Sequence, residues 1–248
     1  MTAPDLEDDD GWLAVIERGT PDPRPQGQLV RFGDFSALVM GTELRYVCLG
    51  EREILRRVHV AVRDAEWDTI PPSTERAAVV MGRHGPELRS EVAHVSDAAE
   101  FAWRGRANGD GTSLSYAMAG VCGRDFDYNR IGICAMLPLR EFAGARYTLD
   151  GPGGPASGSL PERVGPQAII DGVYKGVIPP FGRLSSLLHD GLEVTVAFSG
   201  EVFEMEDQRN WTDASFKIYS TPLDRPRPQQ ARRGDGLRQS LELTVRQP

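Results

Sequence analysis

Residues 203–217 concentrate side chains that could do acid–base chemistry in one short segment. The segment reads FEMEDQRNWTDASFK and holds four carboxylates, a guanidinium, an amine and an indole. Because alternate side chains of a strand point to opposite faces, we expect Glu204 and Glu206 side by side, with Phe203 and Met205 on the other face. Neither a core strand nor an ordinary solvated loop needs this mixture, so the segment is the first candidate for a functional site.

Two adjacent carboxylates raise each other's pKa, and a nearby cation lowers it, so such a group can separate a proton donor from a proton acceptor. The predicted catalytic residues are Glu204, Glu206, Asp207, Arg209, Lys217 and, from another strand, His59. In this hypothesis one glutamate is a general base, Arg209, Asn210 or Lys217 stabilises the oxygen that gains charge, and Asp207 and Asp213 orient the cations. His59 is the acid partner if its strand face lines the same cleft; otherwise it is a solvated strand histidine.

Ligand binding is predicted for the polar and flat groups of the same segment. Trp211 offers an apolar wall of the kind that stacks on sugar rings, with Asn210 and Asp213 beside it. The alternative is a structural ion-pair network at the end of a strand, with Trp211 filling a gap in the core.

The composition favours one folded domain and excludes some partners. The chain has 248 residues, 40% of them hydrophobic, and a net charge of −8 without a basic stripe, which argues against nucleic acid. Three scattered cysteines predict buried thiols in a reducing compartment: Cys48, Cys122 and Cys134. No segment reads as a signal peptide or a membrane span, so we expect a cytoplasmic protein. No cofactor is expected. The acids of the segment offer oxygen ligands suited to calcium or magnesium, but their spacing matches no known ligand loop, so no metal is expected.

The pattern along the chain predicts an all-β protein. Residues 1–28 are acidic and then proline-rich, which predicts a mobile segment ahead of a single domain at 29–248. Strands are predicted at 44–49, 54–63, 101–106, 112–121, 129–137, 192–198, 216–219 and 237–245, the third to the fifth forming a meander. The glycine- and proline-rich run 151–158 is predicted as a flexible surface loop. Short strands with such turns are typical of an antiparallel β-sandwich or barrel.

Three segments together are similar to the amino-terminal domain of bacterial D-apionate lactonase-like proteins. They are FEMEDQRNWTDASFK, YNRIGIC at 128–134 and AVRDAEWDTIPP at 61–72. The resemblance spans about residue 30 to residue 245 and implies a β-supersandwich, the galactose mutarotase-like form of antiparallel β-sandwich. The two added segments contribute four candidate substrate-binding residues: Arg63, Trp67, Arg130 and Tyr128. Trp67 lies in a loop that could cap a cleft.

The resemblance implies a small-molecule enzyme that acts on an oxygenated ring, such as a sugar lactone, by hydrolysis or a related isomerisation or cyclisation. Larger family members continue into a barrel domain, so the second hypothesis is a non-catalytic carbohydrate-binding or scaffolding domain that assists a separate barrel enzyme. The expected partners are a small-molecule substrate and either a second copy in a homodimer or that barrel enzyme. An open cleft with Trp211 on its wall would favour the enzyme, and a closed ion-pair network around Glu204, Glu206 and Arg209 would favour the second hypothesis.

Overall fold

The computed structural model describes residues 27–165, 176–211 and 213–247, together with the backbone of 169–170 and 173–174. Residues 1–26, which make up most of the predicted mobile segment, lie outside these ranges. Thr212 of the motif segment also lies outside them.

Strands dominate the described chain. In chain order they are β1 Gln28–Phe32, β2 Phe35–Met40, β3 Glu43–Leu49, β4 Arg52–Asp64, β5 Thr74–Gly82, β6 Gly85–Val95, β7 Glu100–Asp110, β8 Ser113–Cys122, β9 Phe126–Pro138, β10 Arg146–Gly151, β11 Gly154–Ser159, β12 Ile169–Ile170, β13 Val173–Tyr174, β14 Arg183–Leu187, β15 Glu193–Ser199, β16 Glu204–Asp207, β17 Ser215–Tyr219, β18 Gln229–Ala231 and β19 Gly236–Arg246. Two short helices join them, α1 at Leu139–Phe142 and a 3₁₀ helix at Gln208–Trp211. No helix in the described ranges is long and apolar enough to cross a membrane.

The strands form two large antiparallel sheets. The first has the order β1-β2-β3-β4-β9-β17-β16, with β18 also pairing with β9. The second has the order β11-β10-β14-β15-β19-β8-β7-β6-β5, and β12 pairs with β13 separately. The predicted all-β antiparallel sandwich is therefore confirmed.

Period-two alternation builds the core between the sheets. Val58 and Val62 of β4 and Phe216 and Ile218 of β17 are buried, while residues of the opposite parity, such as Lys217, face the other way. Burying one such apolar side chain contributes about 1.5–3 kcal/mol. These side chains belong to one continuous cluster with buried residues of the second sheet, such as Leu243. The core therefore fixes which residues of β4, β9, β16 and β17 reach the outer face of the first sheet.

Two local expectations differ from the structure. The predicted meander is wrong in its last step, because β7 and β8 pair in the second sheet whereas β9 lies in the first, between β4 and β17. The segment after Cys122 crosses between sheets instead of closing a hairpin, and the Cys122 amide donates to the carbonyl of Asp235. The predicted loop at 151–158 is also wrong, because β10 and β11 pair as a hairpin whose turn is Pro152 and Gly153.

Candidate functional site

The outer face of the first sheet carries two adjacent rows of chemically active side chains. In one row Glu204 opposes Tyr219, and Tyr219 and His59 both oppose Cys134 across β9. In the other row Glu206 opposes Lys217, and Lys217 and Arg57 both oppose Met136 across β9. Directly opposed residues share a face of the sheet. The register thus brings Glu204, Glu206, Lys217 and His59 onto one surface, although they come from three strands.

Glu206 is the glutamate of the segment that remains partly open to solvent. It is half-buried, and its carboxylate accepts a hydrogen bond from Nε1 of Trp211 at 2.7 Å. Trp211 ends the 3₁₀ helix with 59% of its surface exposed, so it stands at the rim instead of filling the core. Burial lowers the pKa of the opposed Lys217, and Arg130 lowers it further, while the Glu206 charge acts in the opposite direction. A carboxylate and an amine thus lie side by side on the outer face of the sheet, on neighbouring strands.

Glu204 is bound into the structure more tightly. It is only 4% exposed, and its Oε2 atom accepts a hydrogen bond from the Leu223 amide at 2.6 Å and one from the Tyr219 hydroxyl at 3.4 Å. Burial raises its pKa, and these hydrogen bonds partly offset the rise. A shallow cavity of about 280 Å³ adjoins it, lined by residues 176–180 and Asp224. Glu204 therefore ties the segment after β17 to the sheet.

His59 lies in the same row as Glu204, among cations. Its Nδ1 atom is buried and finds no hydrogen-bond partner among the described residues. Burial holds its pKa well below the ordinary 6.5, and the positive charges of Arg57 and Lys217 lower it further. The ring is therefore neutral near pH 7, and its surroundings disfavour protonation.

Asp207 and Arg209 form a separate clamp. Arg209 Nη2 lies 2.7 Å from Asp207 Oδ2, and its Nε lies 2.9 Å from Oδ1. The same guanidinium donates to the carbonyls of Glu162 at 2.7 Å and Pro161 at 3.1 Å. Asp207 has the strand parity of the buried Met205, so the clamp is directed away from the two glutamates. It fastens the turn after β16 to the segment after β11.

Two predicted binding residues contribute to the turn that follows β16. Asn210 Nδ2 donates to the Asp207 carbonyl at 3.3 Å, and the backbone amide of Asp213 donates to the Gln208 carbonyl at 3.1 Å. Tyr128 packs against the core, with its ring 5.9 Å from that of Phe126. The structure does not bring Tyr128 to the surface that carries Glu206 and Lys217.

Three arginines gather around Trp67, beside the row that contains Tyr219. Arg130 is directly opposed to Arg63, and its guanidinium lies 3.9 Å from the ring centre of Tyr219 and 5.4 Å from that of Trp67. Arg227 lies 5.1 Å from the ring of Trp67, and Arg63 Nη1 donates to the Trp67 carbonyl at 2.9 Å. We call Arg63, Arg130 and Arg227 the arginine cluster.

Sequence reasoning missed Tyr219 and Arg227. The period-two pattern could have found Tyr219, since it lies two residues after Lys217 in the same strand. Arg227 lies outside regular strands in a proline-rich segment, and no local pattern indicates that it reaches Trp67. In the described ranges, no three histidine, cysteine or acidic side chains come together in a way that could hold a metal ion.

A protein-family model described as "D-apionate lactonase, N-terminal domain" matches residues 15–248. The chain belongs to this family. A curated relative of the chain is the D-apionate lactonase of Brucella anthropi, which is 27% identical over 242 residues. The aligned region makes up 92% of this chain and 36% of that relative, so the chain spans about a third of the relative's length.

Solved structures place the domain among galactose mutarotase-like sandwiches. A galactose mutarotase-like protein from Clostridium acetobutylicum superposes with a TM-score of 0.56 at 8% identity, over 89% of this chain and 95% of that one. The Slr1438 protein from Synechocystis sp. PCC 6803 superposes with a TM-score of 0.60 at 9% identity, over 90% of this chain and 96% of that one. At such identities the likeness concerns the fold alone, and it agrees with the supersandwich expected from the sequence.

Proposed function

We propose that this domain binds a sugar-derived ring on the outer face of the first sheet and hydrolyses a lactone there by carboxylate general base catalysis. The observation that carries the proposal is the direct opposition of Glu206 and Lys217 at a solvent-accessible position, with Trp211 bound to the Glu206 carboxylate. The name of the Brucella anthropi relative and the mutarotase-like fold support a sugar-related substrate.

Each group has one role in the proposed reaction. Glu206 takes a proton from a water molecule while the water oxygen attacks the lactone carbonyl carbon. Lys217, as its ammonium, stabilises the negative charge that forms on the carbonyl oxygen. When the intermediate collapses, the ring C–O bond breaks and the proton on Glu206 passes to the departing alkoxide. The product is the open hydroxy acid, and Glu206 is a carboxylate again.

A related reaction uses the same groups without water. Opening and reclosing a cyclic sugar needs one group that removes a hydroxyl proton and one that protonates the ring oxygen. Glu206 can remove the hydroxyl proton, and the opposed Lys217 ammonium can protonate the ring oxygen, whereas the neutral His59 ring is a poor proton donor. Isomerisation or cyclisation of a hydroxylated ring is therefore the variant reaction that we would test on the same surface.

A non-catalytic carbohydrate-binding or scaffolding role is the second candidate. Two observations favour it: Asp207 and Arg209 form a closed clamp, and Glu204 is buried with its oxygen bonded to the chain. The proposed partner in this role is a barrel protein, as the family resemblance implies. In this role the outer face holds a sugar for chemistry that occurs elsewhere.

The test is turnover of a panel of five- and six-membered sugar lactones by the purified chain, followed through proton release. We expect Glu206→Gln to lower kcat at least about a hundredfold, because general base catalysis typically contributes 10²–10⁴-fold. Glu242→Gln is the matched control, since Glu242 is an exposed glutamate of β19 in the other sheet. Thermal melting of all three proteins shows whether the fold is intact.

Each outcome separates the two candidates. Turnover that disappears in Glu206→Gln, remains in Glu242→Gln and leaves the melting temperature unchanged supports the enzyme. A wild-type chain that binds sugars without turning over any lactone or cyclic sugar supports the binding role. Equal turnover in the wild type and Glu206→Gln would remove Glu206 from the mechanism.

A further inference from the structure

The arginine cluster concentrates positive charge that no described carboxylate contacts as an ion pair, although Glu204 and Asp224 attract Arg227 from a longer distance. Elsewhere on the same face two arginines are paired: Arg45 Nε and Arg57 Nη2 each lie 2.5 Å from a carboxylate oxygen of Glu43. By contrast, Arg63, Arg130 and Arg227 have no carboxylate within ion-pair distance among the described residues. The arginines around Glu43 are therefore paired with a carboxylate, whereas those around Trp67 are not.

Arg130 is the buried member of the cluster. It is 5% exposed, and its Nε atom is buried with no acceptor among the described residues. Arg227 also has a buried Nε without an acceptor among the described residues. Its Nη2 donates to the carbonyls of Thr221 and Pro222 at 2.8 and 2.9 Å, and its Nη1 donates to that of Asn129 at 3.3 Å. Contact with the ring faces of Tyr219 and Trp67 favours the positive charge but does not use the N–H donors. Unsatisfied buried donors are rare in folded proteins and call for a partner.

The register of β4 and β9 adds electrostatic repulsion to the cost of the unsatisfied donors. Arg63 and Arg130 are directly opposed on β4 and β9, and like charges in that position destabilise a sheet. Trp67, which the cluster surrounds, has a left-handed backbone with a φ of 73°, an uncommon conformation for a residue of its size. The turn is held by Asp64, whose Oδ1 accepts from the amides of Glu66 and Asp68. Such outliers cluster at ligand clamps, where the surrounding structure enforces them.

We infer that the arginine cluster binds the anionic group, a carboxylate or a phosphate, of the sugar-derived ligand. An anion placed between the guanidinium groups would supply the missing acceptors and separate the two opposed charges. Arginine is suited to this role because its planar fork can donate two parallel hydrogen bonds to either group. The inference rests on the proposed function for the sugar part of the ligand, and it concerns binding alone.

The test is calorimetric titration of the purified chain with four probes: D-gluconate, D-glucose 6-phosphate, inorganic phosphate and the uncharged D-glucitol. We expect at least one sugar anion to bind, and D-glucitol to bind at least about tenfold more weakly, because hydrogen bonds to charged groups carry this much affinity. The gluconate and phosphate arms distinguish the two anionic groups. Inorganic phosphate measures how much of the affinity the anion supplies without the sugar.

Variants locate the site. Arg130→Gln should weaken anion binding at least about tenfold, and Arg130→Lys should restore part of it by keeping the charge without the fork. Arg63→Gln provides a second, less buried change if Arg130→Gln does not fold. Arg76→Gln is the control, since Arg76 is an exposed residue of β5 in the other sheet, and it should bind like the wild type.

Two results would overturn the inference. One is equal affinity for D-glucitol and for the sugar anions, and the other is unchanged anion affinity in both Arg63→Gln and folded Arg130→Gln. Failure of the proposed function looks different. Anion binding that depends on Arg130, without turnover of any ring, would leave the arginine cluster as an anion site and remove only the catalytic role.

Discussion

The indole of Trp211 donates its Nε1 hydrogen to the carboxylate of Glu206 over 2.7 Å, and Glu206 in turn opposes Lys217 on the neighbouring strand. Trp211 is largely exposed, so its ring contributes little to the core. Its main effect on the site is to hold one glutamate in one orientation. A charge-assisted hydrogen bond of this kind gives the carboxylate a defined geometry.

Replacing this indole should therefore affect the site more than the fold. We predict that Trp211→Phe lowers turnover or ligand affinity about tenfold, because it removes the hydrogen bond to a charged group. Chemical denaturation should show a loss of stability below about 1.5 kcal/mol, because Trp211 is largely exposed and water can replace the lost donor. In a Glu206→Gln background the further loss of function should be small, because the two residues act together. Additive losses in the double variant would mean that Trp211 acts independently of Glu206.

The clamp of Asp207 and Arg209 should contribute to stability instead of chemistry. Asp207 is 6% exposed, and removing one partner of a largely buried ion pair costs about 3 kcal/mol or more. We predict such a loss for Asp207→Asn in urea unfolding. The exposed pair of Glu91 and Arg104 is the control, and Glu91→Gln should cost much less. A stable Asp207→Asn protein with lost turnover would instead place Asp207 in the reaction.

The stabilities of two variants should show whether Glu204 acts through its charge or through its hydrogen-bond acceptor. Alanine leaves the Leu223 amide without an acceptor, so Glu204→Ala should cost about 1–3 kcal/mol. Glutamine keeps an acceptor and removes a buried charge, so Glu204→Gln should be nearly as stable as the wild type at neutral pH. Chemical denaturation of both variants measures the two losses. Equal losses in the two variants would show that the charge itself is needed.

The same glutamate should shape the pH dependence of stability. The folded protein holds this proton more tightly than the unfolded chain, because burial raises the pKa from its ordinary 4.5. As the pH rises from 4.5 through the raised pKa, the contribution of Glu204 to stability therefore falls. We predict that Glu204→Gln removes this component, so that its melting temperature declines less than that of the wild type on the alkaline side. Parallel curves for the two proteins would contradict the shift.

His59 should impose the opposite dependence. Its pKa is held well below 6.5 in the folded protein, so below that pH the unfolded chain binds more protons than the folded one. Stability then increases with pH up to about 6.5, and it is lost as the pH falls toward the lower pKa of the folded state. We predict that His59→Gln is less sensitive to acid between pH 5 and 6.5, as seen by thermal melting. His84→Gln, which changes a histidine with 60% of its side chain exposed, is the control and should follow the wild type.

Much of the fold could be predicted from the chain because period-two alternation is local. The valines of β4 and the apolar residues of β17 mark the buried face without reference to other strands. The same rule predicts that Glu204 and Glu206 share a face, and the structure places both opposite outer-face residues of β17. The loop predicted at 151–158 shows the limit. Its glycines and prolines mark a turn, but only pairing with β14 decides that the flanking residues form a hairpin.

The composition of the motif indicated a site, but it did not show which residue has which role within it. Six predicted catalytic residues separate into groups with different partners: Glu206 faces Lys217, Glu204 is bonded to the chain after β17, His59 lies among cations, and Asp207 holds Arg209. These differences depend on burial and on backbone groups that are distant in sequence. No pattern within fifteen residues contains that information.

The sequence by itself determined the all-β class, the inward and outward faces of the strands and the segment in which acid–base groups concentrate, because these depend on periodicity and residue type. The tertiary structure alone decided that β9 leaves its predicted meander to lie between β4 and β17. That placement sets Arg130 opposite Arg63 and against Tyr219, and it brings Arg227 to the same tryptophan. Strand order depends on packing between the sheets, which joins residues that are distant in sequence, and the arginine cluster forms only because of that order.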